Sequence, residues 1–329
     1  MHQRRILLLV LKRLFSSVLV LLLMVCFIFI LLRISPGDPS VKFVSPELNP
    51  GLAQKIKESF GLNKPIIEQF VQFISNIFTG NFGVSYEFRK PVAEVIKNYL
   101  YFTITFSLIS FILQLTVSYF LALLSIKKMN GFIDRLLGKT SLVLYAIPSF
   151  VLGVFLIFIF SEKLKLLPAS GLMSYDSESL SVGQKIIDYI LHMILPVITL
   201  SLGGIAVFYK YLRDNLDETF NKPFVLNLSG YGLSHKEITK KHVIPGAISP
   251  LISVAGVELG ILFSGALITE VIFGLPGMGR LTVNAILSRD YPLVVGCTFI
   301  SGVLIIISNF LADLLKAKID KRSVSGMLN

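Results

Sequence analysis

Cysteine is almost absent from this chain of 329 residues; there are two, Cys26 and Cys297. Each lies inside an apolar run, where a thiol behaves as a small hydrophobe, so no disulfide or metal framework follows from them. Charge is scarce as well. Asp, Glu, Lys and Arg make up 16% of residues against 53% hydrophobic, with a mean hydropathy of +0.75, which excludes an ordinary soluble domain and indicates a membrane protein. The four histidines, His2, His192, His235 and His242, show no ligand spacing such as H-E-x-x-H. No Ser, His and Asp set gathers in one place, so nothing argues for an enzyme active site. A phosphate-binding loop is missing too. Gly138, Lys139 and Thr140 have its ending, but the glycine required earlier in the pattern is replaced by Ile133, and no strand precedes it. The run GLPGMG, Gly274 to Gly279, lacks the spacing of a dinucleotide fingerprint and follows an apolar stretch; it reads as a tight external turn. Internal repeats and low-complexity tracts are absent.

What the chain does have is apolar windows long enough to cross a bilayer, each of about 20 residues. They fall at about 12–32, 101–126, 136–160, 190–211, 250–272 and 292–315. The opening, MHQRRILLLV, begins like a signal peptide. The uncharged run from Leu14 to Leu32 is long enough to span, however, and no small-residue cleavage site follows, so it reads as an uncleaved first transmembrane helix. The net charge of +11 is spread in short groups between apolar runs, which is topology signal rather than a nucleic-acid surface. Lys and Arg favour the N-terminal segment, the 127–139 loop, the 210–248 loop and the C-terminal tail, which places both termini in the cytoplasm. The expected organisation is a cytoplasmic N-terminus and first helix over 1–33, an external domain over 34–98, and a core of five helices over 99–329. The fold class expected is an all-α membrane protein of six transmembrane helices.

The cytoplasmic segment 212–248 is patterned. It contains FVLNLSGYGLSHKEITKKHVIPGAISP, which predicts two short amphipathic helices broken near Gly230 and Gly232, with Ser234 three residues before Glu237 as a capping box. Its apolar residues Phe224, Val225, Leu226 and Leu228 need something to pack on. They suit an interfacial helix resting on lipid headgroups and equally a surface that docks into a groove of a partner. Polar groups inside or beside the spans are costly unless they face protein or water. These are Gln114, Glu258, Glu270, Asn309 and Asp313. Glu270 and Asp313, near span ends, read as loop bracing or snorkelling side chains. Glu258, and with it Gln114, could line a passage or make a polar contact between helices.

From these residues the chain resembles the binding-protein-dependent ABC permeases of the peptide and nickel group. The likeness rests on Gly232, Leu233, Ser234, His242 and Pro250, and on Leu32 and Arg33 followed by Pro36, Gly37, Asp38 and Pro39. It extends to GLNKP, NFGVSY, KPVAEVI and IPSF, and most specifically to ITEVIFGLPGMGRLTVNAILSRDYPLVVG, with Glu270, Gly274, Pro276, Gly277, Gly279, Asp290, Tyr291 and Pro292. The resemblance implies a type I importer permease in a bacterial inner membrane. It implies a second homologous permease, two cytoplasmic ATPase subunits holding ATP and Mg, and an external solute-binding protein. No cofactor is expected on this chain. Phe224, Leu226, Leu228, Gly232, Leu233, Ser234 and His242 become the ATPase-coupling loop, and peptides the expected solute, with a nickel chelate or glutathione as alternatives. Bulky Leu226 and Leu228 stand where the family usually has small or polar residues, which implies a partner with a matching groove. A gradient-driven secondary transporter is the rival reading; it needs ionisable pairs near the midplane and repeated halves, and a membrane scaffold is another.

Overall fold

The computed structural model describes residues 2–34 and 65–319. Among these the regular structure is helical, apart from one isolated antiparallel bridge between Val84 and Pro91. In chain order the helices are α1 (His2–Ile34), α2 (Ile66–Phe78), α3 (Val92–Ile126), α4 (Phe132–Ala146), α5 (Ser149–Leu156) and α6 (Val182–Phe220). There follow α7 (Pro223–Gly230), α8 (His235–Ile238), α9 (Ile244–Ser264), α10 (Leu267–Ile272), α11 (Met278–Leu287) and α12 (Tyr291–Ile319). A π-helical turn, Ile157–Lys163, extends α5, and another, Thr239–Val243, joins α8 to α9 without a break.

Five stretches are long and apolar enough to cross a membrane singly: Leu11–Leu31, Val92–Ile126, Val182–Phe220, His235–Ile272 and Tyr291–Ile319. The apolar window expected over 136–160 is broken within, with α4 and the α5 unit bent by 100°. The cause is Pro148. Its ring disfavours the α conformation for the residue before it, and Ile147 is accordingly extended at φ −81°, ψ 123°. The bent pair still runs the length of α6 in the opposite sense. Asp134 pairs with Arg213, Gly153 lies against Thr199, and Ser174 beyond the pair bonds Asp188. From 213 to 188 along α6 is about 37 Å at 1.5 Å per residue, enough for one crossing. Counted as one span, the bent pair brings the candidate crossings among the described residues to six.

Helix contacts are built from small residues, because lipid gives apolar side chains little reason to prefer one another and close backbone approach must supply the packing. Along α3, Ser107, Ser110, Gln114, Ser118, Ala122 and Ser125 recur at helical spacing and are buried. Ser201 Oγ donates to the Ser110 carbonyl at 3.3 Å, and Ser125 Oγ lies 2.8 Å from Tyr209 Oη. Between α9 and α12 a Cβ on Gly256 would stand 2.2 Å from Ala312 Cβ. At one end of the bundle Phe208, Tyr209, Leu212 and Leu216 of α6 form an apolar cluster with residues of α7, α8 and α9.

Of the expected external domain, residues 35–64, with SPGDPS, NPG and all of GLNKP except Pro65, lie outside the described residues. Its described part packs on α1 and α12. Phe29 contacts Phe70 and Phe73 at ring distances of 5.1 and 5.4 Å, and Ile77 is buried beside Val25 and Phe299.

Candidate functional site

The segment after α6 is held as a unit. Lys222 is extended and Pro223 starts α7, a position where its missing N–H costs nothing. At the end of α7, Gly232 adopts φ +83°, a conformation open to glycine without strain, and its N–H donates to the Ser229 carbonyl at 3.0 Å. Leu233 N–H bonds the Leu228 carbonyl, and Ser234 caps α8 by accepting from Glu237 N–H at 3.3 Å. Val225, Ile238 and Val243 are buried, and Leu228 and Leu233 pack on the same apolar cluster. Other apolar side chains of the segment are bare: Phe224 is 39% exposed, Leu226 74% and Tyr231 83%. His242 lies half-buried in the π-helical turn that continues into α9.

A charged network supports this end of the bundle. Arg213 of α6 grips Asp134 of α4 through two bonds, Nε to Oδ1 at 3.1 Å and Nη2 to Oδ2 at 2.8 Å, and bonds Asp217 Oδ2 at 2.9 Å. Asn215 Nδ2 donates to the Ala247 carbonyl at 3.2 Å, tying α6 to α9.

At the other end Glu270 is wholly buried. Its carboxylate accepts from Thr103 Oγ1 of α3 at 2.9 Å and from Arg280 N–H at 3.0 Å, and Thr103 Oγ1 in turn accepts from Met278 N–H at 2.7 Å. Gly277 and Gly279 make room for it: a Cβ on Gly277 would stand 2.1 Å from the carboxyl carbon. Gly274 turns at φ +64°, and Pro276 is half-buried beside it. Asp290, also without exposed surface, precedes α12; it accepts from Ser85 Oγ, from Glu87 N–H at 3.1 Å and from Leu293 N–H at 3.3 Å. Tyr291 and Pro292 open α12 half-buried. Burial, and then Asp290 and Tyr291, push the hydroxyl of neighbouring Tyr86 up from its ordinary value.

The two candidate passage residues differ. Gln114 has no exposed surface; it packs on Gly204, where a Cβ would meet it at 2.3 Å, and donates to the Leu200 carbonyl at 3.2 Å. It therefore offers nothing to a passage in this conformation. Glu258 is half-buried on α9, on the helical face it shares with Leu251, Val254 and Leu262.

Sequence profiles match nearly the whole chain. Residues 114–324 match the family described as binding-protein-dependent transport system inner membrane component, and residues 6–109 match its N-terminal region. The chain belongs to this permease family. The probable peptide ABC transporter permease protein y4tP of Sinorhizobium fredii is 33% identical over 313 residues, 95% of this chain and 98% of that protein. The oligopeptide transport system permease protein AppB of Bacillus subtilis is 32% identical over 315 residues, with 95% and 98% covered. The crystal structure of an amino acid ABC transporter with histidines superposes with a TM-score of 0.53 at 15% identity, over 68% of this chain and 94% of that one, and so shares the fold. The permease is a multi-pass membrane protein of the ABC importer type. The patterned segment of the permease, from Pro223 to Val243, is anchored by one set of side chains and bare on another. Of the residues at this site, sequence reasoning passed over Tyr231, Arg213, Asp134 and Thr103. Only Arg213 and Asp217, four apart on one helix, carried a local signal.

Proposed function

We propose that this chain is one membrane subunit of an ATP-driven importer that moves peptides across a bacterial inner membrane. It pairs with a second, homologous permease and rests on two ATPase subunits, which hold ATP and Mg. An external binding protein delivers the solute. The observation that carries the proposal is the exposure of the apolar side chains Phe224, Leu226 and Tyr231 on a segment that Val225, Leu228 and Ile238 lock into the bundle. Such a segment can be pushed as a rigid body, so closure of the ATPases would shift the helices that follow it and change the side to which the passage opens. This end of the bundle then faces the cytoplasm, in keeping with its Lys and Arg, and the Glu270 turn faces outward. Glu258 is the candidate to line the passage, and specificity rests largely with the external binding protein, which suits a sparsely polar lining. Peptide permeases at 33% and 32% identity support peptides as the solute, and a nickel import system permease of Staphylococcus aureus at 30% keeps a nickel chelate as the second reading. The test is co-purification from mild detergent. Wild type should bring down an ATPase and a second permease, and a Leu226→Asp, Tyr231→Asp variant should lose the ATPase alone. A wild type that purifies with no nucleotide-hydrolysing partner would return the reading to a gradient-driven transporter or a scaffold.

A further inference from the structure

At the end of the bundle where α1 begins and α12 finishes, α1 stands away from its neighbours. Leu14, Phe15, Val18 and Val20 are 49%, 74%, 51% and 54% exposed, whereas from Leu21 to Phe29 the helix contributes Val25, Ile28 and Phe29 to the core. The gap is a cleft of about 440 Å³ between α1, α9 and α12. Its walls are graded along the helices. The end nearest the start of α1 holds Arg13, Ser16, Ser253, Asp313 and Lys316, Asn309 follows one turn further along α12, and the far part is closed by Val20, Val257, Ile305 and Ile306.

The charges do not cancel. Arg13 Nε meets Asp313 Oδ2 at 2.8 Å while the Arg13 side chain keeps 44% of its surface, and among the described residues Lys316 Nζ bonds the neutral Ser253 Oγ, at 2.9 Å. Among the described residues that line the cleft, two cations face one carboxylate, a balance of one positive charge. From Arg13 to Val20 along α1 is about 10 Å, the depth over which a bilayer passes from headgroup to hydrocarbon. A cleft that is cationic and hydroxyl-lined at headgroup depth, and aliphatic below it, matches a molecule with a phosphate at one end and an acyl chain at the other.

We propose that this cleft is a binding site for an anionic phospholipid, the phosphodiester held by Arg13 and Lys316 and an acyl chain lying against Val20, Val257 and Ile305. The bound lipid fills the space between α1 and the α9–α12 pair, so α1 is seated through lipid at this end and through protein at the other. The assignment is independent of which solute the permease carries.

The experiment is native mass spectrometry of the full chain released from nanodiscs containing equal parts phosphatidylglycerol and phosphatidylcholine. A retained adduct of phosphatidylglycerol is expected, enriched about tenfold over phosphatidylcholine and not stripped by millimolar inorganic phosphate. The double variant Arg13→Gln, Lys316→Gln should bring the enrichment to about one while its melting temperature shows that it is folded. Val257→Trp, which fills the aliphatic end and leaves the charges in place, should remove the adduct and decides the matter if the double variant does not fold. Equal retention of the two lipids, an adduct that survives Val257→Trp, displacement by inorganic phosphate alone, or cross-linking of a Ser17→Cys probe to a polypeptide in place of lipid would each overturn the assignment.

Discussion

A carboxylate with no exposed surface must find its hydrogen-bond donors within the protein, and Glu270 finds them in Thr103 and the Arg280 N–H. The glycines on either side of Met278 follow from that choice, since any side chain at 277 would enter the carboxyl group. Gly277→Ala is therefore expected to destabilise the chain by about 2 kcal/mol, read as a lower melting temperature in detergent. Gly203→Ala, where a Cβ meets nothing within 4 Å on α6, should leave the temperature unchanged or slightly raised. Glu270 was legible in the sequence as a polar group at a span end that braces a loop. Its partner was not, because Thr103 is 167 positions away and looks no different from Ser107 or Ser110 on the same helix face. Gln114 shows the same limit from the other side. A buried amide and a pathway amide have one signature in sequence, and only the approach of Gly204 distinguishes them.

Among the elements, the two short helices and the Ser234 cap could be read from glycine positions and the Ser to Glu spacing, since capping and turn chemistry are local. Which leucine faces which way could not. Leu226 and Leu228 are two positions apart and look alike in sequence, yet Leu226 is 74% exposed while Leu228 packs on the inner cluster. Leu226→Asp should thus leave the melting temperature within about 0.5 kcal/mol of wild type in stability terms and abolish ATPase retention. Val225→Ala, which removes buried methyl groups, should cost about 1 kcal/mol and leave the exposed Phe224, Leu226 and Tyr231 unchanged. The α4–α6 contact makes a sharper case. Arg213→Ala leaves the buried Asp134 carboxylate without its cation, though still bonded by the Asn130 N–H at 2.9 Å, and should cost about 3 kcal/mol, whereas Arg213→Met combined with Asp134→Leu should recover part of that loss. A double-mutant cycle on thermal unfolding reads both. The break at Pro148 had its cause in plain view as IPSF, but a hydropathy window averages over it and shows only one apolar run.

For the molecule as a whole, the number of crossings depends on whether the bent α4–α5 pair passes through the membrane or turns back within it. The pairings Asp134 with Arg213, Gly153 against Thr199 and Ser174 with Asp188 descend α6 in order, which a hairpin that turned back could not do. Six apolar windows were legible from composition alone, and the count survives the break because each half of the pair keeps its own apolar run. Orientation rests on the Lys and Arg balance of the connecting segments. Both points can be read with single cysteines at Lys128, Glu178 and Lys236, three polar positions outside the packed core, in a chain whose native thiols are removed by Cys26→Ser and Cys297→Ala. A membrane-impermeant maleimide added to intact cells should label the Glu178→Cys chain alone, and inverted vesicles should reverse the pattern. Labelling of positions 128 and 178 from the same side would mean that the bent pair does not cross. Inversion of all three would mean that the charge balance had been read with the wrong sign, and that Phe224, Leu226 and Tyr231 face outward, where no ATPase could reach them.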